Sequence, residues 1–461
     1  MSKVQIHIVG SGLAGSEAAY FLAERGIKVC IHEMRPKKMT EAHQSDQCAE
    51  LVCSNSLKSK NPISGPGMLK AEMNHVGSLI LQCAEASQVP GGEALTVDRD
   101  IFAQQVTQKL ESHPNIERRL GEEITEPFED APTLFATGPL TSEGLSQWIA
   151  SQTDTDDLYF YDAIAPIIES DSIDPEYSFL ANRYGKGEEV AYLNCPMNKE
   201  EYEKFIDELL MGEKVTPKTF EKEKFFQGCQ PIEAIAASGR ESLRFGPMKP
   251  VGLENPNRPE EKAYAVVQLR PENKSRTAYN MVGFQTKLKY GEQKRIFKMI
   301  PALRNAEFLR LGSIHRNTYV CGPKVFRPDL SLKGAPSVYL AGQITGVEGY
   351  LESAGCGMLV AMFILQRIKG IEHDAPPPNT ALGAMLHYLI HSDSKNYQPT
   401  NVHFGLFDPL YFDGLSGQKR KAVREKMAQQ SLINFKKWWS STKIPVTSSQ
   451  LQELKKHALS L

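Results

Sequence analysis

Val4-Gln5-Ile6-His7-Ile8-Val9 runs directly into Gly10-Ser11-Gly12-Leu13-Ala14-Gly15, and this stretch decides the fold. A β-branched strand feeds a G-x-G-x-x-G turn, and a helical stretch from Ser16 to Arg25 stops at Gly26. The next strand, Val29-Cys30-Ile31-His32, ends on Glu33, at the spacing of about 20 residues that a dinucleotide-binding βαβ unit requires. Gly10 allows the tight turn, Gly12 lets backbone approach a pyrophosphate, and Gly15 lets the helix pack on the strand. Ser11, Leu13 and Ala14 complete the loop, and the helix start offers unpaired N–H groups to phosphate. Glu33 is placed to accept from ribose hydroxyls.

The rest of the composition narrows the class. A chain of 461 residues is long enough for more than one domain. The net charge of -2 advertises no nucleic-acid binding, so a polyanion partner must be held by a local patch. The 8 cysteines form no C-x-x-C pair and no ligand-like spacing with the 11 histidines, which argues against zinc, and no metal is expected. Scattered thiols suit a reducing cytosol. The N-terminus enters a strand without a signal pattern, and no apolar run near the ~20 residues of a bilayer span is evident. The expectation is a soluble, cytoplasmic protein without a membrane segment.

Two further strand-then-glycine signals lie far downstream. Thr133-Leu134-Phe135-Ala136-Thr137-Gly138 is one, and Ser337-Val338-Tyr339-Leu340-Ala341-Gly342, followed by Gln343, is the other. This arrangement resembles FAD enzymes with a glutathione-reductase-like Rossmann fold, in which a late acid binds the ribityl chain. Here Gln343 stands in place of that acid, and an amide both donates and accepts. Asp98 or Asp100 suits the positive end of a helix opening near Val97. From Ile167 to Val320 the pattern changes to β-type runs such as Tyr264–Leu269 and Tyr279–Phe284, with a charged helical run from Lys199 to Leu210. The expectation is therefore α/β: residues 1–166 and 321–461 form a Rossmann-type FAD-binding domain in two parts. Residues 167–320 are an inserted α+β domain that meets the substrate, and the C-terminal part carries a helical segment. That segment contains Lys419, Arg420, Lys421, Arg424 and Lys426. It reads as a solvated helix face or, alternatively, a phosphate-contacting surface.

Two cysteine-centred segments carry chemistry. The first is Leu51-Val52-Cys53-Ser54-Asn55-Ser56-Leu57. The second is Gly228-Cys229-Gln230-Pro231-Ile232-Glu233, leading into Leu243-Arg244-Phe245-Gly246-Pro247-Met248-Lys249-Pro250-Val251-Gly252-Leu253. Pro231 suits the first residue of a helix, which would put Cys229 beside a positive helix end that favours thiolate. The bland alternative is a buried structural cysteine, the reading adopted for Cys30, Cys48, Cys83, Cys195, Cys321 and Cys356. Cys53 has less local support, although Ser54, Asn55 and Ser56 can line a polar site.

With these segments in view, the chain closely resembles the folate- and FAD-dependent tRNA (uracil-5-)-methyltransferases over nearly its whole length. The resemblance rests on the Gly10–Gly15 loop, Leu51–Leu57, Gly228–Glu233 and Leu243–Leu253. It continues in Ala341-Gly342-Gln343-Ile344-Thr345-Gly346-Val347-Glu348-Gly349-Tyr350 and Asn401–Leu406. Gln227, Gln230 and Ser238 depart from the family pattern, while both cysteines are retained.

The resemblance implies methylation of C5 of the T-loop uridine, position 54 of tRNA. A thiolate adds at C6 and makes C5 nucleophilic. The carbon comes from 5,10-methylenetetrahydrofolate by way of reduced flavin, which finishes the reaction by hydride transfer after NAD(P)H has reduced the FAD. Cys229 is the expected nucleophile and Cys53 the group beside the flavin, as base or stabiliser, with the two roles open to exchange. Tyr350 is expected either to stack on flavin or pterin or simply to pack. Arg240, Arg244 and Lys249 are assigned to tRNA phosphates, to the folate glutamate tail, or to plain salt bridges. The sequence specifies neither the oligomeric state nor NADH over NADPH. Competing readings are the longer-chained FAD- and folate-dependent enzymes of wobble uridine, a flavin NAD(P)H oxidoreductase, which would need a redox cysteine pair, and an RNA-binding flavoprotein without catalysis.

Overall fold

A computed structural model describes residues 3–153, 158–185, 189–215, 230–256, 260, 262–395, 397–407 and 417–447. Five parallel strands make the first sheet, in the order Val338–Leu340, Thr133–Phe135, Ile6–Val9, Val29–Glu33, Ile116–Leu120. Its central strands are apolar and buried on both faces, as a parallel sheet covered by helices demands. The three strand-then-glycine segments become neighbours here although more than 300 residues of chain separate the first from the last.

Helix Leu13–Ala23 packs lengthwise on helix Tyr350–Ile368. The latter corrects one expectation, because it is long and apolar enough to cross a membrane. It reads that way because it is a core helix: 89% of its apolar window is buried within the protein. The helix Gly417–Ser441 closes the same core with Phe435, Trp438 and Trp439, while Lys419 and Lys421 face solvent. Lys421 pairs loosely with Glu425 at 3.9 Å, the pattern of a solvated face.

Two buried carboxylates fasten this core. Glu17 accepts from the N–H groups of Leu79 and Ile80 and from the Ser78 hydroxyl. Glu72 accepts from the N–H groups of Ala381 and Leu382 and from Ser431. Each therefore caps the start of a neighbouring helix, where the unpaired donors lie. Asp98 does the same locally, accepting from Ile101 N at 3.2 Å to start helix Arg99–Glu111.

A second core surrounds a six-stranded antiparallel sheet, ordered Phe179–Leu180, Leu193–Met197, Ala265–Pro271, Ala278–Met281, Ile167–Glu169, Phe308–Arg310. Helix Lys199–Met211 packs on it, opened by a capping box in which Asn198 and Glu201 satisfy each other's backbone N–H. The antiparallel pair Leu158–Ala163 and Ile314–Tyr319 carries the chain between the two cores, Tyr319 facing Leu158 and Ile314 facing Ala163. A small sheet of Ser56–Ser59, Ala94–Val97 and Gln88–Val89 sits beside the first.

Replacing Glu72 strands three donors, so Glu72→Ala is expected to cost about 2–4 kcal/mol in chemical denaturation. Burial pushes the Glu72 carboxyl up from 4.5 to about 7. The folded state thus holds that proton more tightly than the unfolded chain, and its contribution is full below pH 4.5 and fades as pH rises through about 7. Glu72→Gln should flatten that slope when stability is measured against pH.

Candidate dinucleotide and thiol site

Gly10, Gly12 and Gly15 do three different things. Gly10 has φ +100°, and a Cβ there would meet Ala136 O at 2.6 Å. A Cβ on Gly15 would meet Gly10 O at 2.0 Å, so the helix is seated directly on the turn. A Cβ on Gly12 would meet nothing within 4 Å. That open space adjoins the start of helix Leu13–Ala23, where phosphate is favoured. Protein packing thus explains Gly10 and Gly15 but not Gly12, whose open position suits the close approach of a pyrophosphate.

The cavity there opens to solvent. Gly10, Gly12, Leu13, Ala14, Glu33, Gly138, Gly342, Gln343 and Tyr350 all line it. Gly342 has φ +81°, and a Cβ on it would press on Ala14 Cβ at 2.9 Å. Gln343 reaches Glu348, donating from Nε2 at 2.8 Å. Ser11 and Gly15 lie behind the wall as supports, Ser11 through the bonds described next. The donor set, the open phosphate position and the elongated lining fit an FAD-type dinucleotide.

Glu33 is already heavily engaged. Its Oε2 accepts from Ser11 N (3.1 Å), Ser11 Oγ (2.7 Å) and Arg35 Nη2 (3.0 Å), and its Oε1 from Arg35 N (3.2 Å) and Nε (3.1 Å). Burial alone would raise its pKa, but the Arg35 guanidinium and Ser11 outweigh it and hold the carboxyl at about 2. Arg35 also donates to Ser45 O at 2.8 Å and Glu50 at 3.2 Å, fixing the loop that rims the cavity. Sequence reading missed Arg35; the signal was an arginine two residues past the strand-end acid.

Cys53 is half-buried, whereas the other described cysteines are buried. Its loop is held from every side. Tyr350 Oη accepts from the N–H of Cys53 at 2.6 Å and of Ser54 at 3.2 Å. Burial, then proximity to Cys53, pushes the Tyr350 phenol above its ordinary range. Arg99 donates to the carbonyls of Leu51 (2.8 Å) and Cys53 (3.3 Å) and grips Glu272 at 2.5 and 3.1 Å. Arg310 donates to Val52 O. Arg270 donates to Asn55 Oδ1 at 2.9 Å, and Asn55 Nδ2 bonds the carbonyls of Val97 and Pro271. Arg270, Glu272 and Arg310 belong to the second sheet or its edge, so the loop is clamped between the two cores. Val52 and Tyr350 line the cavity, which places the Cys53 loop at its wall. None of Arg99, Arg270 and Arg310 stood out in the sequence, because nothing local marks an arginine whose partners lie 46 to 258 residues away.

Cys229 lies outside the described residues. Pro231 directly precedes helix Ile232–Ala237 rather than opening it. Arg240 pairs with Asp207 at 2.5 Å on the surface. Arg244 lies 4.2 Å over the Tyr264 ring, donates to its carbonyl at 2.9 Å and meets Glu241 at 3.2 Å. The Lys249 carbonyl accepts from Arg183 at 2.8 Å. None of these three cationic residues lines the cavity.

The glycine geometry separates folding from binding. Gly12→Val is expected to fold normally and to purify with at least tenfold less flavin, by absorbance. Gly15→Ala should instead lower thermal stability.

A family model described as Glucose inhibited division protein A matches residues 5–372. A Geobacter sulfurreducens protein named Methylenetetrahydrofolate--tRNA-(uracil-5-)-methyltransferase TrmFO is 48% identical over 434 residues, covering 94% of this chain and 98% of the relative. A Natranaerobius thermophilus protein of the same name is 50% identical over 429 residues, covering 93% and 98%. Among solved structures, Aquifex aeolicus GidA superposes with a TM-score of 0.68 at 14% identity, over 98% of this chain and 75% of that one, a likeness of fold. With identity near one half over nearly its full length, the chain belongs to the TrmFO family of methylenetetrahydrofolate–tRNA-(uracil-5-)-methyltransferases.

Proposed function

We infer that this protein methylates C5 of the T-loop uridine of tRNA in the cytosol, with FAD in the cavity, 5,10-methylenetetrahydrofolate as carbon donor and NAD(P)H as reductant. The observation that carries the reading is the Cys53 loop, anchored through Tyr350 to the wall of a dinucleotide cavity. Bound FAD supplies one-carbon transfer and hydride reduction. The chain's own residues supply the rest. A thiolate, assigned to Cys229, adds at C6 of uracil and drives electron density to C5, which then attacks the carbon. A second group, assigned to Cys53, takes the proton from C5 as the bond between the carbon and its donor breaks; the two thiols could exchange these roles. The thiol then leaves as the exocyclic carbon is reduced.

Tyr350 acts here by position. Its hydroxyl holds two N–H groups of the Cys53 loop, so its ring is anchored whether or not it also touches a bound ring. Arg99, Arg270 and Arg310 surround the same loop with positive charge, a setting that favours an anion at its surface. Arg240, Arg244 and Lys249 remain assigned to tRNA phosphates or the folate glutamate tail, with the ion pairs of Arg240 and Arg244 to be exchanged for those anions.

The decisive assay is tritium release from tRNA labelled at C5 of uracil, with FAD-loaded protein, NADPH and methylenetetrahydrofolate. Folate-dependent release with 5-methyluridine at the T-loop is expected. No release from a reducible enzyme on unmodified tRNA would overturn the reading. Cys53→Ala and Cys229→Ala should each abolish product while tRNA binding persists. Tyr350→Phe should retain FAD and lose roughly 10- to 100-fold in kcat, the range that misplacing a catalytic group by an ångström produces.

A further inference from the structure

Outside the machinery described so far, strands Ile6–Val9 and Val29–Glu33 bring three donor side chains together. His7 is the register partner of Cys30, and Val9 of His32. The two-residue period of a strand turns Cys30 and His32 to one face. One ligand atom from each of His7, Cys30 and His32 lies within 4.8 Å of the others, and all three residues are buried.

The nitrogens are arranged in a particular sense. His7 Nδ1 faces His32 Nε2 at 2.9 Å. The outer nitrogens face carboxylates: His32 Nδ1 lies 2.7 Å from Glu122 Oε2, and His7 Nε2 lies 3.3 Å from Asp130 Oδ1. His32 Nδ1, at hydrogen-bond distance from Glu122, carries the proton. His32 Nε2 then aims its lone pair at His7 Nδ1, and a cation can replace the proton that the two inner nitrogens otherwise share. Phe128 stacks on His7 at 3.8 Å and on His32 at 4.7 Å, shielding the pair.

We propose that His7, Cys30 and His32 form a binding site for a divalent cation of the zinc type. The inner nitrogens and the Cys30 thiolate are the ligands, and Glu122 and Asp130 orient the imidazoles from outside. Histidines that bind metal commonly donate their far N–H to a carboxylate in this way, and an N2S donor set suits zinc. Two nitrogens on a tetrahedral zinc are roughly 3.3 Å apart, so the pair needs to open by only a few tenths of an ångström. Binding releases the thiol proton to solvent. His32 and Glu122 also line the dinucleotide cavity, so the ion would tie together the two strands that present Gly10 and Glu33.

The test uses the full-length, FAD-loaded protein, stripped with chelator and titrated with Co²⁺, whose thiolate complexes absorb beyond the flavin bands. One Co²⁺ per chain is expected, displaced by Zn²⁺, with a higher Tm in the metal-bound form. Cys30→Ala should weaken binding at least a hundredfold, and Cys30→Val, closer in volume, should do the same if the alanine variant folds poorly. Glu122→Gln should weaken it about tenfold. Unchanged Co²⁺ affinity in a folded Cys30 variant would overturn the proposal. So would failure of the wild type to bind either metal, which would leave a shared proton as the only cation between the histidines.

Discussion

Backbone meeting backbone around Ala14 is the constraint on which the rest depends. The turn carbonyl of Gly10 lies where a side chain at Gly15 would go, and the Ala14 carbonyl lies 2.2 Å from where a Cβ at Gly357 would sit. Gly342 presses on Ala14 from a third direction. Such approaches are open only to glycine, and they lock helix Leu13–Ala23 between the parallel sheet and helix Tyr350–Ile368. The consequence is positional. The start of one helix is aimed into the cavity, and the start of the other puts Tyr350 at its wall. Folding the first core and shaping the cofactor site are therefore one event.

The second dependence runs between the cores. Arg99 holds two carbonyls of the Cys53 loop and a carboxylate from the second sheet. Taking such groups out of water is expensive, and the arrangement persists only because every partner is present. Losing one partner of a buried pair of this kind typically costs about 3–5 kcal/mol. The Cys53 loop is thus held in part by residues of the second core, which couples the placement of its thiol to correct packing of the two cores against each other. Asn55 reinforces this by bonding backbone from both sides of the junction.

Local signals explain which parts were readable beforehand. Strand, glycine turn, helix and strand-end acid are each set by neighbours in the chain, so the βαβ unit, a helix start at Asp98 or Asp100 and the charged helix from Lys199 could be read directly. Residues whose partners are remote could not. Tyr350 reads as a ring that either stacks on a ligand or simply packs, yet its hydroxyl anchors a loop almost 300 residues earlier. Helix Tyr350–Ile368 shows the limit from the other side, since apolarity alone does not distinguish a membrane from a protein core.

The His7–Cys30–His32 group makes the same point for ligands. Spacing rules assume that metal ligands sit close in the chain; Cys30 and His32 do, but His7 lies more than 20 residues earlier. Parallel pairing of two strands brings the residues together instead. By itself, then, the sequence determined the dinucleotide-binding architecture and the family, because these depend on short-range pattern and on long, specific motifs. Tertiary structure alone decided which arginines clamp Cys53, how Glu33 is shared with Arg35, and which histidines face each other. Those outcomes depend on register and on packing across distant segments, and side-chain chemistry carries no record of its future neighbours.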